Sequence, residues 1–114
     1  MTTRLDTAGT GARVLPIDTL LDGRYVVREV IAAGGFGITY LAEDTPLQKA
    51  CAVKEHFPRL FAVRDGSTST VHATDSHTFA WSLERFLLEA QSLTQCHHPS
   101  VVAVTDVFRA HGIL

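Results

Sequence analysis

The 114-residue sequence has no apolar run long enough to cross a membrane, and residues 1–21 lack the apolar core of a signal peptide. Cysteine is scarce. Cys51 and Cys96 stand far apart, which suits a reducing cytosol better than a disulfide-stapled secreted domain, so a cytoplasmic location is expected. Four Pro and eight Gly are too few for a collagen-like or low-complexity chain. Charge of either sign is in no large excess: ten basic residues against twelve acidic ones, net −2, give no electrostatic case for nucleic acid or an anionic membrane. What is plentiful is apolar side chain, 46% of the residues, enough for one core without internal repeats.

Residues 1–21 read as a leader whose first dozen residues are expected to be disordered, with Leu15–Leu21 lying against the body. From Tyr25 the composition turns β-rich. Strands are expected at 25–31, 38–42 and 50–54, separated by Ala32-Ala33-Gly34-Gly35-Phe36-Gly37 and by a turn at Glu43-Asp44-Thr45-Pro46, which makes an antiparallel meander. Residues 56–77 read as an ordered excursion with a turn at Arg64–Ser67 and a short strand at Thr70-Val71-His72. Phe79, Leu83, Phe86, Leu87, Ala90 and Leu93 form one helical stripe, predicting a helix over 78–95 capped by Asp75, Ser76 or Thr78. A fourth strand is expected over 101–108, and Ile113-Leu114 reads as the start of a fifth.

A glycine-rich loop lets backbone N–H groups approach an anion, because missing Cβ atoms permit close contact. The loop at 32–37 does not suit a dinucleotide-binding unit, since β-rich Ile38-Thr39-Tyr40 follows where that unit needs a helix. A Walker loop fails too, because no Gly-Lys-Ser/Thr follows. A flap between two antiparallel strands, folded over a triphosphate, fits. Lys54, one of two lysines, ends the apolar run Cys51-Ala52-Val53, where an ammonium can meet phosphate oxygens or simply snorkel to water. At roughly 100° per residue, Glu89 sits roughly 40° beyond Leu93, at the edge of the apolar stripe, able to reach a cation on the sheet or to remain a solvated flank.

In combination these features resemble the small lobe of a bacterial serine/threonine protein kinase, over about residues 15–114. Gly34 and Gly37 match the second and third glycines of G-x-G-x-x-G, Lys54 the lysine of V-A-I-K and Glu89 the helix glutamate that pairs with it. His98-Pro99 before Val101-Val102 resembles the turn into the fourth strand. The resemblance implies an α+β fold, a twisted, incomplete antiparallel sheet with one major helix, forming a partial kinase domain over 22–114. It implies ATP as ligand, held by Ala32, Ala33, Gly34, Gly35, Phe36, Gly37, Thr39, Ala52 and Lys54, with Lys54 on the α- and β-phosphates, Glu89 holding Lys54, and Ala52 and Thr39 lining the adenine pocket.

Two departures stand out. Ala32 occupies the first glycine position, and Thr39 replaces the valine that packs on adenine. More consequential, the sequence has no H-R-D, D-F-G or A-P-E motif, so it supplies neither the base nor the aspartate for Mg²⁺, which is expected in a full-length kinase alone. The resemblance therefore implies an ATP-binding lobe without catalysis of its own, or a non-catalytic kinase-like module that binds a partner protein. With a family sheet order of 2-1-3-5-4 and the hinge beyond Leu114, the third and fourth strands are expected to lack a ladder neighbour, to be completed by the kinase C-terminal lobe or another chain. The segment between Lys54 and the helix is longer than the family norm and has no assigned role.

Other candidates carry less. Cys96-His97-His98, with His72 and His77, reads as surface or loop histidines rather than a metal site. Asp106 has no second carboxylate at fixed spacing. Trp81 lies opposite the centre of the stripe and is expected to pack on the inserted segment.

Overall fold

The computed structural model describes residues 14–95, 104 and 106–109. Among the described residues six strands precede one helix: β1 Leu20–Leu21, β2 Tyr25–Ala33, β3 Gly37–Asp44, β4 Lys49–His56, β5 Ala62–Arg64, β6 Val71–Ala73 and α1 Ser76–Thr94. The first four form one antiparallel sheet in the order β1-β2-β3-β4, and β5 and β6 form a separate hairpin. The architecture is thus the expected α+β one, an antiparallel sheet with one major helix. The meander expected from the residues holds, and the 2-1-3 order implied by the resemblance is corrected, because β3 lies between β2 and β4. The turn between β3 and β4 spans only Thr45–Gln48, with Gln48 N–H on Thr45 O at 3.3 Å, so the two strands pair directly as a hairpin.

The three central strands extend a residue or more beyond their β-branched cores. β1 was not expected as a strand. It turns into β2 through Asp22 and Gly23, both at positive φ (55° and 63°), with Arg24 N–H on Leu21 O at 2.9 Å. The pairing of β2 with β3 slips twice, at Arg28 and at Ile31, and such bulges curl a sheet.

Alternation along β3 divides the sheet. Ile38, Tyr40, Ala42 and Asp44 are buried, whereas Thr39 and Leu41 point to the other face. Directly opposed residues share a face, so Ala32, Thr39 and Lys54 lie together, as do Leu41 and Ala52. The buried face meets Leu15, Leu21, Phe57 and, from the hairpin, Ala62 and Val71. Leu15 and Leu21 therefore lie against the body as expected, and the excursion is ordered. Leu15 N–H reaches Tyr40 OH at 3.0 Å, and Tyr40 OH donates to Glu55 Oε1 at 2.7 Å. Burial holds the Tyr40 phenol far above its ordinary pKa.

Helix α1 starts on Asp75, whose Oδ1 accepts from Thr78 N–H at 3.2 Å. Its stripe is buried unevenly. Phe79 is buried, Leu83, Phe86, Ala90 and Leu93 are half-buried, and Leu87 is 42% exposed, while polar Ser82 is buried instead. The first half of the helix makes the fully buried contacts. The expected fourth strand falls partly outside the described residues, at 101–103 and 105. Asp106–Arg109 form no strand. They are fastened by side chains instead: Tyr25 OH donates to Asp106 Oδ2 at 2.9 Å and the Tyr25 and Phe108 rings stack at 5.4 Å. Among the described residues β4 pairs with β3 alone. The leader's first 13 residues, Cys96-His97-His98 and Ile113-Leu114 lie outside the described residues.

Candidate functional site

The loop between β2 and β3 is closed by Gly34 N–H on Gly37 O at 2.8 Å. Its tip is tied on the β4 side, where Phe57 N–H donates to Phe36 O at 3.0 Å and Arg59 N–H to Gly35 O at 3.1 Å. Gly37 has a steric reason to be glycine, because a Cβ there would lie 3.0 Å from Glu55 O and 3.3 Å from Lys54 Cε. Gly35 has none within the chain: a Cβ would meet nothing within 4 Å.

A cleft of about 460 Å³ opens between this loop, the free face of the sheet and helix α1. From the loop and sheet it takes Ala32, Gly34, Phe36, Gly37, Thr39 and Lys54, and from the helix Glu89. Ala33, Gly35 and Ala52 do not line it, although Ala52 shares the sheet face with Lys54. Lys54 Nζ stands 3.6 Å from Glu89 Oε1, with the side chains 55% and 63% exposed. Such an exposed pair contributes about 0–1 kcal/mol to stability. What the contact does is hold a cation in the cleft below the glycine loop.

Four further side chains line the cleft that are not among the expected site residues: His56, Ser82, Arg85 and Phe86. Trp81 also lines it, which corrects the expectation that it packs on the inserted segment. The residue is 49% exposed, and its ring carries the Arg85 guanidinium at 5.2 Å, one helical turn away. Two residues beyond Lys54 on the same strand, His56 plugs into the helix. Its ring meets Phe79 edge-on at 4.9 Å and Phe86 at 5.6 Å, and Nε2 lies 2.8 Å from Ser82 Oγ. Ser82 spends its proton on Phe79 O at 3.0 Å, so His56 Nε2–H is the donor to Ser82. Burial lowers the His56 pKa to about 4, which keeps the ring neutral. Among the described residues, no group of three or more His, Cys, Asp or Glu converges as a metal site.

A cleft of this size falls in the range of small-ligand pockets. It offers two cations, Lys54 and Arg85, against one carboxylate, Glu89, beside a loop of backbone amides, a donor set suited to a polyanion.

No protein-family model matches the chain. Among curated proteins, the serine/threonine-protein kinase pkn2 of Myxococcus xanthus is 33% identical over 91 residues, 80% of this chain, and PrkC of Bacillus subtilis is 31% identical over 87 residues, 76% of this chain. The chain spans about a tenth of the length of these relatives, 9% and 11%. Of the solved structures, the apo form of PpkA-294 superposes with a TM-score of 0.81 at 28% identity, covering 87% of this chain and 36% of that one. Among the described residues no helix is long and apolar enough to cross a membrane. By sequence and by fold the chain belongs to the bacterial serine/threonine protein kinases, as their small lobe.

Proposed function

We propose that this lobe binds ATP in the cleft between the glycine-rich loop and helix α1. The observation that carries the reading is the Lys54–Glu89 contact at 3.6 Å, placed below the loop by β4 on one side and the helix on the other. Lys54 would meet the α- and β-phosphates, Glu89 would keep its ammonium in place, and Gly34–Gly37 would lay amides over the phosphates. Thr39 would line the adenine side, with Ala52 beyond the cleft's edge on the same sheet face as Lys54. The reading stops at binding. The residues of this sequence include no H-R-D base and no D-F-G aspartate for Mg²⁺, so phosphoryl transfer is not proposed for them alone. A cytoplasmic location belongs to the same proposal, supported by the free thiol of Cys51.

ATP binding to the native state raises the unfolding free energy by about 2.7 kcal/mol at a hundredfold excess over Kd. A thermal-unfolding series in ATP is therefore expected to move the midpoint upward, and Lys54→Ala to abolish the shift. A midpoint indifferent to ATP, alongside binding to a protein partner that ignores nucleotide, would favour the non-catalytic module instead.

A further inference from the structure

Strand β4 does not end at the lysine. The next residues, His56, Phe57, Pro58 and Arg59, touch both walls of the cleft. Toward the loop they act through backbone: Phe57 N–H and Arg59 N–H hold Phe36 O and Gly35 O at 3.0 and 3.1 Å. In a trans peptide the carbonyl and the following N–H point in opposite directions. With those two carbonyls turned to the segment after β4, the Phe36 and Gly37 N–H groups are turned away from the segment that holds the loop. Toward the helix the same segment acts through the His56 ring, which is enclosed by Phe79, Ser82 and Phe86. Phe57 and Pro58 are fully buried, so the segment is itself anchored in the core.

We propose that His56–Arg59 is a brace that fixes the two walls of the cleft relative to each other, orienting the loop amides through Phe57 and Arg59 and setting the height of helix α1, and so of Glu89 against Lys54, through His56. This rests on the nucleotide-binding reading for its purpose and on the hydrogen bonds alone for its existence. It gives the start of the long segment after Lys54 a role: the excursion buries Phe57 and thereby holds the brace. His56 and Arg59 are positioning residues, acting on the site through the loop and the helix.

Two substitutions test it with little disturbance of the fold. Arg59 is the second residue of a turn closed by Phe61 N–H on Pro58 O at 2.8 Å, a position that accepts proline. Arg59→Pro therefore keeps the turn and deletes the donor to Gly35. Ser82→Ala deletes the acceptor under His56 and keeps the helix. Hydrogen exchange on the chain without nucleotide, and ATP affinity in the same variants, are the readouts. The brace predicts faster exchange of the Gly34 amide in Arg59→Pro, faster exchange in the first half of α1 in Ser82→Ala, and ATP binding weakened about fivefold in each. Unchanged exchange at Gly34 in folded Arg59→Pro overturns the brace, and so does faster exchange with unchanged ATP affinity. A wild-type chain that fails to bind ATP overturns the nucleotide reading, and the exchange data then decide the brace by themselves.

Discussion

Arg64 Nη2 lies 2.6 Å from Glu55 Oε1, joining the β5–β6 hairpin to the residue that follows Lys54. The side chains are 2% and 15% exposed, and the same carboxylate oxygen accepts from Tyr40 OH. The pair lies behind the sheet, on the face opposite Lys54, and fixes the strand that presents the lysine. Breaking a buried pair from one side costs about 3–5 kcal/mol. Glu55→Ala is accordingly expected to lower stability by about that amount in chemical denaturation, far more than Glu89→Ala, whose exposed ion pair is worth at most about 1 kcal/mol.

Two of the three loop glycines, Gly35 and Gly37, separate structural from ligand-imposed need. Gly37→Ala puts a Cβ 3.0 Å from the Glu55 carbonyl and 3.3 Å from Lys54 Cε, and is expected to destabilise the chain by about 1–3 kcal/mol. Gly35→Ala meets nothing within 4 Å and removes unfolded-state entropy, so its stability is expected to stay level or rise by up to about 1 kcal/mol. If phosphates approach the loop backbone, Gly35→Ala still loses ATP affinity. Paired unfolding and binding measurements on the two variants check this.

His56 carries a pH dependence whose sign follows from its depressed pKa. Burial holds it at about 4 in the folded chain, against an ordinary value near 6.5. The unfolded chain therefore binds more protons between those values. The contribution of neutral His56 is full above pH 6.5 and is lost as pH falls toward 4. Unfolding midpoints of the wild type are expected to drop over that window, and His56→Phe, which keeps the aromatic contacts with Phe79 and Phe86, is expected to flatten the drop. Equal slopes in both proteins would contradict it.

Much of this was legible in the residues. Tyr25–Ile31, Ile38–Ala42 and Ala50–Lys54 declare strands because β-branched and apolar residues crowd them, and Gly34, Gly37, Lys54 and Glu89 stand in a recognisable order. The errors have physical causes. Asp22-Gly23 is a hairpin signal that makes β1 legible inside a stretch whose composition otherwise reads as leader. Periodicity presumes that a helix is buried along its length, whereas α1 is buried mainly through its first half, which leaves Leu87 exposed and buries Ser82 under His56. Trp81 and Arg85 form a second face of the helix, directed at the cleft, and no pattern in the helix alone reveals it. The meander order follows from the short Thr45–Gln48 turn, which forces β3 and β4 together, and the 2-1-3 order implied by the resemblance does not hold against it.

The central claim is that Lys54 holds ATP in this cleft, and the single tryptophan lines that cleft. Titration of the chain with ATP, followed by Trp81 emission, tests it most directly. The account predicts a saturable change that disappears in Lys54→Ala while its unfolding midpoint stays within a few degrees of wild type. An identical titration curve in wild type and Lys54→Ala would contradict it.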